Sequence, residues 1–499
     1  MNVRSRAAAI CLSALLVAVA ARLSTAAADA AATIPNDEPS IAHALNRLAY
    51  GARPGDVARI KHMGLAAWID QQLRRERVPD AQLDTRLARL TTLPLDAKTV
   101  AHDYYMPARQ ERRRRQQAAG SAQGPGPRGQ ADMNQAPGPG DQSPIDQGPA
   151  RRAQAAGARE PGTTAVVRRG RQVLVEMAEA KILRATYSER QLEEVLVDFW
   201  FNHFNVFARK GQTEIYIGEY ERDVIRPNVL GNFRDLLGAT AQSPAMLVYL
   251  DNWRSTNRGL NENYARELLE LHTVGVDGGY TQQDIVSVAR AFTGWTIGRP
   301  AQPGFRFAAN LHDRDEKKVL GQTISAGGRA DGDRVLDLLA SHPSTATHIA
   351  YKLAQRFVSD TPPASVVTRA ADTFRNSKGN LREVVRTIIT SPEFFAPTAH
   401  QAKVKTPFEF VVSALRATNA EIRTAQPLLR TLADLGMPLY LCQPPTGYDE
   451  TSETWVSSGA LVNRINFALA VANGEVRGVQ VDKSRASALS LGSAGFQKQ

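Results

Sequence analysis

Apolar positions recur with helical spacing over most of the chain. In residues 41–73, Ala44, Leu45 and Leu48 form one stripe that stops at Gly51 and Pro54. Val57, Ile60, Leu65, Trp68, Ile69 and Leu73 carry a second stripe past Gly64. The spacing predicts helices over 173–184 and 189–204, the latter burying Leu192, Val195, Leu196, Phe199 and Trp200. Residues 223–237 read as a helix interrupted by Pro227. Residues 261–273 and 282–294 form a helical pair turned by Gly278 and Gly279, with Thr281 and Asp284 as a T-x-x-D cap on the second member. Helices resume near Asp331, Thr345, Pro363, Leu381, Pro407 and Ala425, and the last strong one covers Ser458–Asn473.

Three stretches break the pattern. Residues 304–308 and 318–324 alternate as a β-hairpin would, across a polar loop that holds His312, Asp313, Arg314, Asp315 and Glu316. Residues 112–164 open with four consecutive arginines and continue in Gly, Pro, Gln and Ala, with no aromatic side chain. Such a stretch buries too little to offset its ordering entropy and is expected to be a disordered insertion inside one domain. Residues 480–499 read as a flexible tail. The expected architecture is therefore mainly α: one large helical domain built from residues 38–111 and 165–475, with one small β-hairpin.

The N-terminus changes the picture of destination. Arg4 and Arg6 precede an apolar run over 7–21, and small residues surround Ser24, Ala26 and Ala28. This is the pattern of a secretory signal peptide, assigned to residues 1–28, and the run is shorter than the roughly twenty residues a membrane span needs. The mature chain is expected to be periplasmic or extracellular, with no transmembrane segment. It keeps only Cys442, so internal disulfides are excluded and stability must come from packing.

Charge changes it less than the total suggests. The net charge of +11 is concentrated in the insertion and its flanks, where twelve arginines stand against five acids between Arg109 and Arg171, and in Arg4, Arg6 and Arg22. The remainder is close to neutral, so no nucleic-acid partner is expected.

Four local patterns then come into view. They are Phe199-Trp200-Phe201-Asn202-His203-Phe204; the run from Asn261 through Glu262, Asn263, Tyr264, Arg266, Glu267, Glu270 and His272 into Ala289-Arg290-Ala291-Phe292-Thr293-Gly294-Trp295; His312-Asp313 with Lys317 or Lys318 and Leu320-Gly321; and Gly447-Tyr448-Asp449 with Trp455 and Arg464. In this order the chain resembles the bacterial family called domain of unknown function eighteen hundred. The resemblance implies an exported, mostly helical protein that is often found with a second exported protein. It transfers no catalytic residue.

The chemistry these residues offer is open between two readings. On a continuous helix Glu262, Asn263, Arg266, Glu267 and Glu270 share an arc of about 140°, opposite an apolar arc that includes His272. That is an amphipathic helix with i,i+4 ion pairs. Alternatively Glu267 and Glu270, three residues apart, face a cleft and hold a divalent metal or act as acid and base, with His203 as a third ligand oriented by Asn202 and Asn205. His312, Asp313 and Asp449 complete the candidate polar cleft of His203, Asn205, Asn263, Arg266, Glu267 and Glu270. No zinc-protease, phosphate-loop, nucleophile-elbow or haem-attachment pattern occurs. The expected function is a non-catalytic binding or assembly role in the envelope, with a second exported envelope protein as partner; the alternative is a metal-dependent hydrolase or oxidoreductase with a Glu/His site.

Overall fold

The computed structural model describes residues 34–122, 165–299, 301–485 and 487–499. The signal-peptide assignment at 1–28 lies outside the described residues, as does the 123–164 part of the expected insertion. The protein is predominantly α, with only small two-stranded sheets. One continuous hydrophobic core includes residues from Ile41 to Leu491.

The N-terminal helix shows how the pattern becomes packing. Asp37 starts Glu38–Leu48 by accepting a hydrogen bond from the Ser40 amide at 2.9 Å. Ile41, Ala44, Leu45 and Leu48 then fall on one face, and all four are buried. The same helix carries Arg47 into the core at 0% exposure, where its guanidinium donates to the carbonyls of Val358 and Ala399 at 3.1 and 2.9 Å.

The front of the expected insertion is not disordered. Arg112 to Arg115 belong to the helix Met106–Ala122. Glu111 sits one turn before two of them and pairs with Arg114 and Arg115 at 3.0 and 3.1 Å, the i,i+3 and i,i+4 contacts that support a helix even without an apolar stripe. After residue 164 the chain returns as the long helix Ala165–Tyr187 and packs back on the outgoing one. Gly170 is a point of close approach: a Cβ there would lie 2.5 Å from the Ala108 Cβ. The stem is closed further by the Arg169 guanidinium, 5.0 Å from the centre of the Tyr104 ring.

Among the described residues, three helical segments widen into π turns: Val100–Tyr105, Tyr220–Ile225 and Leu268–His272. The helix expected over 223–237 therefore divides. A π turn precedes Arg226–Asn228, and a fresh helix Phe233–Gln242 starts at Asn232, whose side chain accepts from the Arg234 amide at 2.9 Å.

Strands occupy both stretches that alternation marked, but they pair differently, and others form where no alternation pointed to them. Strand β1 (Trp295–Ile297) pairs antiparallel with β2 (Phe305–Phe307), with Thr296 opposite Arg306. Strand β3 (Lys317–Val319) pairs with β4 (Gln322–Ile324). Residues 304–308 and 318–324 thus belong to two ribbons and do not form one hairpin. Leu320 and Gly321 both have positive φ, 48° and 78°, and close β3 onto β4 in a two-residue turn with the twist a hairpin needs. A third ribbon joins β5 (Glu421–Ile422) to β6 (Val479–Gln480).

The tail, expected to be flexible, is docked. Lys403 and Gln499 exchange backbone hydrogen bonds at 2.9 and 3.2 Å, and Gln497 O accepts from Lys405 N at 2.9 Å. Gln497 and Gln499 are both buried, the first accepting from Arg464 at 3.0 Å and the second donating to Glu409 at 2.9 Å. Two amides that satisfy buried charges tie down a stretch whose small residues carry no apolar signal of order. Among the described residues, no helix is long and apolar enough to cross a membrane.

Candidate functional site

The helix Gln191–His203 ends in the aromatic pattern read from the sequence. Phe199, Trp200 and Phe204 are buried and hold His203 between their rings, with centroids 6.2, 5.4 and 4.6 Å from its own. Two further imidazoles complete the group. His272 and His348 each lie 6.2 Å from His203, centroid to centroid. His203 Nε2 is 3.3 Å from the His272 carbonyl, and His348 Nε2 is 3.2 Å from the Leu271 carbonyl. A carbonyl only accepts, so each Nε2 donates and each Nδ1 is left as the basic nitrogen.

The π turn is what brings His272 here. In Leu268–His272 the backbone is underwound. The Thr273 hydroxyl reaches back to donate to the Leu268 carbonyl at 2.6 Å, and the Gly275 amide to the Leu269 carbonyl at 3.1 Å. Gly275 has φ of +84°, and a Cβ on it would stand 2.9 Å from His348 Nδ1. Both the backbone and the third imidazole require a glycine.

These rings are neutral at neutral pH. Burial holds His272 down to about 3, with His348 adding to the effect. Burial pushes His203 well below the ordinary value too, with His348 and His272 opposing its charge, and His348 is lowered by burial. Near the N-terminus, burial and then Arg47 hold His43 at about 3. An unfolded histidine takes up its proton near pH 6.5, and folded His43 and His272 do not until about pH 3. Their stabilisation is therefore complete above pH 6.5 and is lost on acidification, at roughly 1.4 kcal/mol per pH unit for each ring. Urea unfolding at pH 6.0, 5.5 and 5.0 should show this slope, and His272→Gln should reduce it by about one ring's share. An unchanged slope in the variant would mean that His272 titrates freely in the folded state.

The carboxylate face lies on the preceding turns. Asn263 begins Asn263–Glu267 and donates to the Leu250 carbonyl at 3.3 Å. Arg266 stands between Glu262 and Glu270 at 3.6 and 3.4 Å and donates to Gln282 at 3.1 Å. Glu267 is half-buried, and burial followed by the charge of Glu270 raises its carboxyl above the usual range. Asn205 is buried, its amide donating to the carbonyls of Cys442 and Pro444 at 3.1 and 2.7 Å. His203, Glu267 and Glu270 are not drawn into a common ligand set. Among the described residues, no group of three His, Cys, Asp or Glu side chains could hold a metal ion.

His312, expected on an exposed loop, is buried at 1% exposure. Its Nδ1 is 2.8 Å from the Thr293 carbonyl and its Nε2 is 3.1 Å from Asp331. Lys317, fully buried, donates to the same Asp331 oxygen at 2.7 Å and to the Asp313 carbonyl at 2.6 Å. Asp313 is clasped through both oxygens by Arg290 at 2.8 and 3.0 Å. The loop is polar in composition because its charges satisfy one another inside the fold.

Asp449 lies near Cys442, whose carbonyl Asn205 holds. It accepts from the Thr454 hydroxyl at 2.5 Å, and its carbonyl accepts from the Trp455 indole at 3.0 Å. Arg464, which shares its sequence pattern, turns to Gln497 and the Lys405 carbonyl. Cys442 nearby is buried, and burial followed by the Asp449 charge pushes its thiol up to about 12, so it packs as a thiol and not as a thiolate.

His272 and His348 stand outside the candidate site expected from the sequence. His272 is misplaced by any calculation at 100° per residue, and His348 arrives from Pro343–Phe357, with nothing in its own neighbourhood to mark it.

Helices around one core, small β ribbons and separate buried polar clusters define a large α-rich protein whose charged motifs are largely internal. The chain belongs to the family described as "Protein of unknown function (DUF1800)", which matches residues 43–497. No curated protein and no solved structure matches it.

Proposed function

We propose that this is an exported, non-catalytic binding and assembly protein of the bacterial envelope, which docks to a second exported protein through the outer face of Ser458–Asn473. The observation that carries the reading is the character of that face. Leu461, Val462, Ile465 and Leu469 are 47, 56, 40 and 44% exposed. Arg464 is the one charged residue of the helix, and it is turned inward at 2% exposure. Val456, just before the helix, adds to the patch at 58%.

A surface helix ordinarily carries charge on its solvent side, and a contiguous apolar patch marks a docking surface. Leu461, Ile465 and Leu469 recur every fourth residue, the spacing with which a helix seats its side chains in an apolar groove. The absence of charge across the face suits an apolar partner and not a nucleic acid or an acidic peptide. Export is supported by the Arg4/Arg6 and 7–21 pattern of the N-terminus.

The test is a photo-crosslinking residue at position 465 in intact producing cells. A discrete adduct with one other exported protein, abolished by Leu461→Lys, is expected. No adduct, or an adduct only between two copies of this chain, would overturn the reading. So would a stoichiometric metal in the purified protein that is lost in the double variant Glu267→Gln, His203→Ala, which would favour the metalloenzyme.

A further inference from the structure

A cavity of about 390 Å³ opens between the 87–95 segment, the helix Ala165–Tyr187 and the helix Thr213–Glu219 with its π extension. Its volume falls in the range of small-molecule sites. Its lining is in part apolar: Leu90, Leu93, Val173, Met177 and Ile215. It also carries Arg184, Arg222 and Arg226 with Glu219 and Glu221.

The charges in the lining are unequally matched. Arg226 clasps Glu194 through two bonds, at 2.7 and 2.9 Å, and Arg222 is held by Asp223 and by the carbonyls of Leu93 and Leu95. Glu221 accepts from the Tyr440 hydroxyl at 2.5 Å and lies 3.6 Å from Arg226. Arg184 stands 3.7 Å from Glu221, beyond hydrogen-bond length, so its guanidinium retains donors toward the cavity. Arg226 Nε is buried with no hydrogen-bond partner.

Gly218 is the second, independent sign. It lines the cavity from inside a helix, where glycine weakens the backbone. Nothing in the fold demands it: a Cβ there would meet no atom within 4 Å, and its φ is not left-handed. Folding alone would favour alanine or a larger residue at this position. What the glycine does is leave the hollow open. Two of the three π turns, at Val100 and at Glu221 and Arg222, also contribute to its wall, and such turns occur often at functional sites.

We infer that this cavity is a binding site for a small amphipathic carboxylic acid, its hydrocarbon body against the leucine and methionine wall and its carboxylate on Arg184. The apolar wall provides the area, and the guanidinium selects the anionic head with paired N–H donors.

The probe is decanoate, with decanol as its neutral match, titrated calorimetrically into the purified full chain. Decanoate is expected to bind at one site at least tenfold more tightly than decanol. Arg184→Gln should bring the two to the same affinity. Gly218→Phe should abolish binding of both, whereas Gly218→Ala should keep binding and raise the melting temperature by about 2 °C. Failure of decanoate to bind the folded wild-type chain overturns the inference. So does undiminished binding in a Gly218→Phe protein that melts like the wild type. The docking face of Ser458–Asn473 is unaffected by either result.

Discussion

Replacing Asp331 with alanine is expected to cost about 3–5 kcal/mol of folding stability, read as a lowered urea midpoint with unchanged m-value. The carboxylate is completely buried. One oxygen accepts from Lys317 and His312 at 2.7 and 3.1 Å, and the other from the Gly327 amide at 2.7 Å. Its loss leaves a lysine with no exposed side-chain surface whose remaining carboxylate, Asp313, is 3.5 Å away and already clasped by Arg290, which is the costly way to break a buried pair. The magnitude should not appear if both partners go together. Asp331→Leu with Lys317→Met should recover most of the loss, because two apolar side chains of similar volume carry no desolvation penalty. If the double variant is as unstable as the single one, the network contributes through shape and not through charge.

Glu409→Ala should lose a comparable amount, about 3–5 kcal/mol, for a related reason. Glu409 closes the capping box of Pro407–Ala417 with Thr406 and pairs with the buried Arg356. Burial alone would raise its carboxyl, but Arg356, Gln499 and the Thr406 amide hold it at about 2. The folded value is below the unfolded one, so the stabilisation is present above about pH 4.5 and is lost as pH falls toward 2. Across that window the wild type should lose about 3 kcal/mol that Glu409→Gln does not lose, since the glutamine cannot titrate. Equal acid sensitivity of the two proteins would place the proton elsewhere.

How far the sequence could be read follows from which forces leave a local trace. Thr281 and Asp284 form the capping box their spacing indicates, and Ser458–Asn473 begins and ends where its pattern does, because caps and stripes are local properties. Strand pairing is not local. Trp295, Thr296 and Ile297 are all buried, so β1 lacks the alternation that would have announced it, and the tight turn at Leu320-Gly321 places a leucine where asparagine is the usual signal.

The candidate site was legible as a set of residues and not as a geometry. His203 was found through its aromatic neighbours, but its companions His272 and His348 depend on a π turn and on a glycine whose purpose is a contact across the fold. His312 was taken for a surface residue because its loop is polar. Composition cannot distinguish charges that face water from charges that face each other, as Arg290, Asp313, Lys317 and Asp331 do.

The two helices that leave and re-enter the core at residues 122 and 165 have a consequence for variation. They meet at Gly170 and Ala108, so the ends of whatever joins them are fixed by the stem and not by the joining chain. Lengthening a linker whose ends are already held costs little, about 0.6 kcal/mol for each doubling. Sequence between these points can drift, grow or be exchanged for a foreign module while the core beneath keeps its register. The fold thus contains a port at which evolution, or an engineer, can add cargo with little penalty.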